Sequence, residues 1–182
     1  ERRMKTPLIL SALAVGATLA LSACASSRSL GESITDISAD AQLKGVLLAD
    51  RSHDYADIDL TVYEGTLLLT GTMRTTEGRD ALIANAWKAG GVEKVIDEVV
   101  VGEKTSFGQG VEDSRIEAAL RARFITDENV KSGDFKIAVS GGAVYLLGAA
   151  RDAGQIARAN EIASGLTGVS RVVSHVGVRT PA

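Results

Sequence analysis

The chain has 182 residues, of which 45% are hydrophobic, 24% are charged and 4% are aromatic, with a net charge of −3 and one cysteine. A single cysteine excludes intramolecular disulfides and thiolate metal sites. The low aromatic content, and the lack of a basic stripe interleaved with aromatic residues, argue against nucleic acid as a partner.

The N-terminal sequence has the pattern of a secretory signal. Arg2, Arg3 and Lys5 precede Leu8–Leu21, an uncharged segment of apolar and small residues. This segment has about 14 residues, whereas a membrane-spanning helix needs about 20. We therefore expect translation to start at Met4 and residues 1–23 to be a signal peptide.

Cys24 closes the segment Leu21-Ser22-Ala23-Cys24, which resembles the lipobox of bacterial lipoproteins. The resemblance implies that Cys24 is acylated, with palmitate among its chains, and becomes the first mature residue. Ala25 after the cysteine then favours the outer membrane. The alternative is a leader cut by an ordinary signal peptidase, with an incidental cysteine. Residues 24–33 are small and polar, which predicts a lipidated, flexible tether.

The rest of the sequence is an internal repeat, because an offset of 77 residues aligns Ala39–Val101 with Ile116–Val178 without a gap. The repeat predicts two small domains of one fold, at residues 34–103 and 111–179, with a linker at 104–110. The first domain carries 6 Lys/Arg and 13 Asp/Glu, a net charge of −7, and the second carries 9 and 8, a net charge of +1. The second domain is therefore better suited to anionic surfaces.

Each unit contains two predicted helices. The first is amphipathic, since its apolar positions recur every four residues: Ala39, Leu43 and Leu47, then Ile116, Leu120 and Phe124. Ser114 and Glu117 match a capping box, which predicts that the helix of the second unit starts at Arg115. Second helices are predicted at residues 76–89 and 152–166, the latter with a capping box formed by Asp152 and Gln155.

Three strands complete each unit. Alternating apolar residues predict a hairpin, with its tight turn at Glu64-Gly65 in the first unit and at Gly141-Gly142 in the second. Last strands are predicted at Val95–Val101 and Arg171–Val178. The order α-β-β-α-β predicts an α+β fold in which two helices cover a three-stranded mixed sheet.

This order of elements resembles the BON-domain family. The motifs that carry the resemblance are Leu-x-Gly after the hairpin turn, at Leu69–Gly71 and Leu146–Gly148, and Gly-Val before the last strand, at Gly91-Val92 and Gly168-Val169. With the lipobox, two such domains resemble the dual-BON outer-membrane lipoproteins. That resemblance implies a lipid-anchored protein on the periplasmic face of the outer membrane, which binds phospholipid, preferably anionic, and maintains envelope integrity.

A basic helix face is the candidate lipid-binding site. In dual-BON lipoproteins the second domain contacts lipid, so the resemblance directs attention to Arg115, Arg121 and Arg123 on its first helix and to Lys131 in the following loop. We expect this helix to offer no exposed Trp or Tyr. The alternative is an ordinary solvated helix face.

Trp87, the single Trp, is a candidate contact residue. It follows Ile83 by one helical turn, about 120° from the core face. The second unit has polar residues there, Asn160 and Ser164. We expect Ile83 and Trp87 to contact the second domain, with a partly exposed core-edge position or a contact with lipid or a partner protein as the alternatives.

No catalytic residues are predicted. His53 and His175 do not occupy equivalent positions, and the acidic segment Asp50–Asp59 lacks the ligand spacing of a calcium loop. We expect no cofactor, no metal and no enzyme activity. The leading prediction is a phospholipid-binding lipoprotein, and the alternative is an envelope adaptor that binds a protein, such as outer-membrane assembly machinery.

Overall fold

The computed structural model describes residues 30–180, with side chains from Ala39 onward. Cys24, the signal peptide at 1–23 and tether residues 24–29 lie outside the described residues. The last four residues of the predicted tether, 30–33, belong to the first helix.

Two domains of the α+β class follow one another, which confirms the predicted fold class. The first contains α1 (Leu30–Ala49), β1 (Ile58–Tyr63), β2 (Thr66–Met73), α2 (Thr76–Ala86), β3 (Lys94–Asp97) and β4 (Val100–Val101). The second contains α3 (Phe107–Thr126), a 3₁₀ turn (Ser132–Asp134), β5 (Phe135–Ser140), β6 (Ala143–Ala150), α4 (Ala153–Ser164) and β7 (Arg171–Val178).

Both sheets are mixed, with the second strand of the hairpin in the centre. In the first domain β2 pairs antiparallel with β1 and parallel with β3, and β4 also pairs with β2. In the second domain β6 pairs antiparallel with β5 and parallel with β7. This arrangement leaves β1 and β5 at corresponding sheet edges.

The last strand of the first domain is interrupted at Asp97, so the prediction of one strand over Val95–Val101 is wrong. Oδ1 of Asp97 accepts a hydrogen bond from the backbone N of Val99 at 3.1 Å. Its Oδ2 accepts one from Nε of Arg79 at 2.7 Å. These bonds bend the chain between β3 and β4, whereas β7 is continuous, as predicted.

The glycine of each Leu-x-Gly motif lies where the backbone of another strand approaches closely. A Cβ at Gly71 would lie 1.9 Å from the carbonyl oxygen of Asp57, and one at Gly148 would lie 2.0 Å from that of Asp134. Both glycines also have positive φ, 111° and 154°. The motif therefore marks a position that no side chain can occupy without moving the backbone.

Each domain has a core between its helices and one face of its sheet. In the first domain Leu43, Leu69 and Leu82 are fully buried there. In the second domain Ile116, Leu120 and Phe124 of α3 are at most 1% exposed. The predicted core faces of both first helices are confirmed.

A third apolar cluster joins the two domains through the sheet faces that the helices leave uncovered. It includes Leu68, Tyr145 and Leu147, all nearly fully buried, with Ile96 and Val173 packed against it. Leu68 and Tyr145 are equivalent positions of the repeat, as are Ile96 and Val173. The domains therefore pack sheet against sheet with approximate two-fold symmetry.

Glu98 and His175 are also equivalent positions of the repeat, and they contact each other. Nε2 of His175 lies 2.8 Å from Oε1 of Glu98. A contact between equivalent residues is what an isologous interface produces at its symmetry axis. This pair therefore lies near the pseudo-two-fold axis that relates the two domains.

Helix α3 begins at Phe107 and not at Arg115, so the predicted capping box at Ser114 is wrong. The N-cap is Ser106, whose Oγ accepts a hydrogen bond from the backbone N of Gln109 at 3.2 Å. Ser114 lies inside the helix and donates to the carbonyl oxygen of Gly110. The last four residues of the predicted linker, 107–110, are thus helical.

A buried carboxylate explains why the helix extends through two glycines. Asp113 is 7% exposed, and its oxygens accept hydrogen bonds from the backbone N of Gly141 and of Gly142, both at 2.8 Å. It also accepts one from Nε2 of Gln109 at 2.8 Å. Asp113 therefore fastens the first turns of α3 to the β5–β6 hairpin, a tertiary contact that outweighs the low helix propensity of Gly108 and Gly110.

Candidate functional site

The solvent side of α3 carries an apolar stripe. Large apolar side chains are exposed at Phe107 (89%), Val111 (55%) and Ile125 (67%). Together with the exposed Ala118 and Ala122, they fall within about 60° on a helix that turns 100° per residue. We call these five residues the outer stripe, and they extend over about 27 Å at 1.5 Å per residue.

Two of the four predicted basic residues flank the outer stripe. Arg121 projects about 60° to one side of its centre and Arg115 about 55° to the other, whereas Arg123 projects about 135° away. Lys131 follows α3 in the loop before the 3₁₀ turn. The structure therefore brings Arg115 and Arg121 to the stripe, and Arg123 belongs to a different side of the helix.

Carboxylates on α3 partly neutralise the two flanking arginines. Nη2 of Arg115 lies 2.6 Å from Oε1 of Glu112 and also donates to the carbonyl oxygen of Thr167 at 3.2 Å. The hydrogen bond with Arg115 lowers the pKa of Glu112. Arg121 pairs with Glu117, one turn earlier. Within the described residues, the side chains of Arg123 and Lys131 form no ion pair.

Sequence reasoning missed the outer stripe because it placed Phe107 in the linker and began the helix too late. The signal was present, since Phe107 and Val111 are one turn apart and Ile125 follows the core residue Phe124 directly. The expectation that the helix offers no exposed Trp or Tyr agrees with its sequence. Phe107 and Ile125 instead supply the large exposed apolar groups.

A cleft of about 620 Å³ lies between the two domains, beside the C-terminal half of α3. Its walls include Lys44 of α1, Leu60 of β1, Arg121 and Ile125 of α3, and Lys136 of β5. The cleft thus combines cationic and apolar side chains from both domains. Two residues, Arg121 and Ile125, belong both to the cleft and to the surface around the outer stripe.

Ile83 and Trp87 do not form the interdomain contact. Ile83 packs against the first domain's own core, and Trp87, at the C-cap of α2, is 53% exposed. The interdomain cluster is built from the sheet faces, on the side away from the helices. The interdomain half of the prediction is therefore wrong, and a contact with a partner stays a prediction.

The two histidines each lie beside carboxylates. Nδ1 of His53 lies 3.3 Å from Oδ2 of Asp50, which also accepts a hydrogen bond from the Tyr55 hydroxyl at 2.7 Å. That hydroxyl is the main cause of a lowered pKa at Asp50, and burial raises the pKa of Tyr55 to about 12. His175 pairs with Glu98 across the domain interface. The contact of His53 stabilises the loop between α1 and β1, and the contact of His175 joins the two domains.

Residues 30–180 offer neither a metal-binding cluster nor a membrane-spanning helix. No group of three or more His, Cys, Asp or Glu side chains there could hold a metal ion. No helix in that range is both long enough and apolar enough to cross a membrane.

A model of the BON domain matches the chain twice, at residues 35–103 and 112–180. The chain belongs to the BON-domain family. The two matches coincide with the two sheet-and-helix units of the structure and cover most of the sequence. The family predicted from the repeat and its motifs is therefore confirmed.

Three relatives show how far the similarity of this BON protein extends. An outer membrane lipoprotein, DolP, of Haemophilus influenzae is 27% identical over 184 residues, covering 92% of this chain and 95% of the relative. An uncharacterized protein of Anaplasma centrale, from the gshII 5' region, is 30% identical over 126 residues, covering 69% and 83%. A 21 kDa hemolysin of Actinobacillus pleuropneumoniae is 31% identical over 138 residues, covering 76% and 66%.

Similarity to solved structures is weaker. The C-terminal domain of CdsD, a structural protein of the type III secretion system of Chlamydia trachomatis, matches 76% of this chain and 65% of its own chain. The TM-score is 0.33 at 15% identity. A second structure of CdsD gives a TM-score of 0.34 at 13% identity. At these scores the likeness supports no argument about function.

Proposed function

We propose that this BON protein is a non-enzymatic lipoprotein of the outer membrane, anchored on the periplasmic face through lipid on Cys24. Its second domain docks on anionic phospholipid through the outer stripe of α3, and this contact helps to maintain the envelope. The similarity to the outer membrane lipoprotein DolP along 92% of the chain supports the location. The lipobox-like sequence before Cys24 supports the anchor.

The observation that carries the docking proposal is the outer stripe. A helix that packs on a core normally exposes polar residues on its other side. Here α3 buries Ile116, Leu120 and Phe124 and also exposes Phe107 and Ile125. Apolar side chains flanked by arginines are the pattern of a helix that lies in a membrane interface.

The expected contact is weak by itself. Each basic residue near an anionic surface contributes about 1 kcal/mol, and the pairing of Arg115 with Glu112 and of Arg121 with Glu117 reduces that gain. A covalent anchor compensates, because it holds the domain near the bilayer at a high effective concentration. The acidic first domain is repelled by the same lipids, which favours contact through the second.

Sedimentation with vesicles tests the docking proposal. We expect the soluble chain from Ala25 to Ala182 to sediment with vesicles containing phosphatidylglycerol and not with purely zwitterionic ones, and to do so less at high salt. The double variant Phe107→Ser/Ile125→Ser should lose most of this binding, because both side chains are exposed and their removal leaves the core intact.

Val100→Ser is the control for that variant. Val100 is 54% exposed on β4 of the first domain and belongs neither to the outer stripe nor to the walls of the cleft beside α3, so its replacement should leave vesicle binding unchanged. Equal sedimentation of the wild type and the double variant would exclude the outer stripe as the contact surface.

The second candidate function is an envelope adaptor that binds a protein partner, such as outer-membrane assembly machinery. The observation that favours it is Trp87, which is 53% exposed. An exposed Trp favours a protein partner because Trp is typical of the centres of protein interfaces. An adaptor without lipid affinity would not sediment with protein-free vesicles. Binding to such vesicles therefore separates the two functions.

A further inference from the structure

We propose that the outer edge of β7 binds an extended segment of a partner protein as an added strand of the second domain's sheet. The segment carries a small side chain with a hydrogen-bond donor, such as Ser or Thr, where it passes α4. This inference goes beyond the proposed function and does not rest on it. Helix α3 packs on β5, whereas β7 lies at the opposite edge of the sheet, beside α4, so docking of α3 leaves β7 accessible.

Strand β7 is a sheet edge with free backbone groups. All eight of its residues pair with β6, and no other strand within residues 30–180 pairs with it. Just after the strand, the backbone N of Arg179 donates to the carbonyl oxygen of Ala150 on β6 at 2.8 Å. In a parallel ladder, successive residues direct their backbone groups alternately to one neighbour and to the other side. Val172, Ser174 and Val176 therefore turn their N–H and C=O groups to the open edge.

An open groove of about 550 Å³ runs beside this edge, between α4 and the first residues of β7. Asn160 and Ser164 line it from α4, and Ser170 and Val172 line it from the other side. Oδ1 of Asn160 is buried and has no hydrogen-bond partner in the part of the chain that the structure describes. A buried acceptor without a donor is destabilising, and a ligand that supplies the donor removes that penalty. The groove therefore suits a small side chain that donates a hydrogen bond.

The equivalent edge of the first domain is built differently. Ile83 and Trp87 occupy the positions of Asn160 and Ser164, so two large apolar side chains replace two smaller polar ones. The edge strand there, β3, has four residues and ends at Asp97, where the chain bends. Short and interrupted edges protect sheets against pairing with other chains. The second domain, in contrast, combines a long, regular edge with a polar groove, which is the arrangement that strand addition uses.

A partner protein suits this edge better than a second copy of the chain. Two copies would pair through antiparallel β7 strands, and side chains that stand opposite each other then lie on the same face of the sheet. If the whole of each strand pairs, Val176 or Val178 of one copy stands opposite Val172 of the other. Neither valine can donate a hydrogen bond to Asn160, which lines the same groove as Val172. A partner segment with Ser or Thr at that place can.

Phage-displayed random twelve-residue peptides are the probe for this edge, selected on the chain from Ala25 to Ala182. We expect enriched peptides, once synthesised, to bind the wild type and to bind Ser174→Pro on the order of tenfold or more weakly. The proline removes an N–H from the open edge and leaves the bonds to β6 in place. Its ring also blocks the approaching strand. Ser174→Thr is the matched control, because it keeps the N–H, and it should bind like the wild type.

A second variant keeps the test decisive if Ser174→Pro fails to fold. Asn160→Ile/Ser164→Trp gives the groove the residues of the first domain and should also abolish peptide binding. Trp87→Ser changes an exposed side chain of the first domain and should leave peptide binding unchanged. Failure to enrich any peptide would overturn the proposal. Equal binding by the wild type, Ser174→Pro and the groove variant would overturn it as well.

Amide hydrogen exchange measured by NMR gives a signature of strand addition. A bound peptide should slow exchange at Val172, Ser174 and Val176, and it should change exchange little at Val173 and His175, whose amides face β6. Binding that leaves the first three amides unprotected would contradict an added strand. A wild type that dimerises in sedimentation while Ser174→Pro stays monomeric would also overturn the proposal, because the occupant would then be a second copy.

Vesicle sedimentation separates this failure from failure of the proposed function. Ser174→Pro should bind vesicles containing phosphatidylglycerol like the wild type, because α3 is unchanged. If the peptides bind β7 but the chain does not bind vesicles, the docking proposal is wrong and strand addition stands. If the chain binds vesicles but no peptide, strand addition is wrong and docking through α3 stands.

Discussion

Gly71 and Gly148 are the glycines of the two Leu-x-Gly motifs, and the structure shows why glycine is required at this position. Both sit at equivalent places on the central strands, where a Cβ would lie within 2.0 Å of a carbonyl oxygen at the start of the neighbouring strand. The sequence showed both glycines as a repeated motif. It could not show the reason, which is a close approach of two backbone segments that are distant in sequence.

Replacing Gly148 by Ala should destabilise the second domain by roughly 2–4 kcal/mol, because the new methyl group meets the Asp134 carbonyl at a φ of 154°. Gly177→Ala is the control, since a Cβ at Gly177 meets nothing within 4 Å and its strand favours Ala over Gly. Urea unfolding measures both. Equal stability of the two variants would contradict the close approach.

Asp127 makes the stability of the second domain depend on pH. Its Oδ2 accepts hydrogen bonds from Nε and Nη2 of Arg158 at 2.9 and 2.7 Å, and these bonds lower its pKa. A lowered pKa means that the folded state prefers the ionised carboxylate. The stabilisation is therefore complete above the ordinary Asp pKa of about 3.9 and is lost as the pH falls through the lower folded value.

Asp127→Asn should be less stable than the wild type at pH 7, and the difference should shrink steadily below about pH 4. Unfolding free energies measured from pH 7 to pH 2 test this. Glu128→Gln, at the adjacent exposed position, is the control and should follow the wild-type profile. A difference that does not change with pH would mean that the ion pair is not the cause.

At the scale of elements, the periodicity of the sequence predicted the hairpins and the core faces of the helices. Apolar residues at Ile116, Leu120 and Phe124 face the core because burial at every third or fourth position is what a packed helix requires. The start of α3 could not be predicted in the same way. It depends on Asp113 binding the turn at Gly141 and Gly142, a contact that local propensity does not contain.

The true N-cap of α3 can be identified by mutation. Ser106→Ala should cost about 1 kcal/mol, because its hydroxyl caps the first turn. Ser114→Ala should change stability by less than about 0.5 kcal/mol, because its hydroxyl only back-bonds to Gly110 inside the helix. Chemical denaturation of the two variants measures the difference. The reverse ranking would place the helix start at Ser114.

At the scale of the whole molecule, the relation between the domains follows from the central strands. Strand β6 is buried on both faces over Ala143–Leu147, since one face meets the helices and the other meets the first domain. In the sequence, the uninterrupted apolar runs Leu67–Leu69 and Val144–Leu147 indicate that both faces of each central strand are buried. They could not specify the partner surface, because any apolar face would satisfy the pattern.

Leu68→Glu should separate the domains, because it places a charge in the fully buried interdomain cluster at a cost of roughly 3 kcal/mol or more. Small-angle scattering should show a larger radius of gyration, and thermal unfolding should split into two transitions. Leu48→Glu, at an 83% exposed site, is the control. An unchanged radius for Leu68→Glu would contradict the sheet-to-sheet interface.

The central claim is that the outer stripe of α3 lies on the bilayer, and a site-specific fluorophore tests it most directly. The chain from Ala25 to Ala182 has no cysteine, so Ala118→Cys places one label on the stripe and Ala157→Cys places another on the exposed side of α4. With vesicles containing phosphatidylglycerol, the emission of the label at position 118 should shift to the blue and be quenched by lipid-borne quenchers. The emission of the label at position 157 should not change. The same response at both positions, or none at 118, would contradict docking through α3.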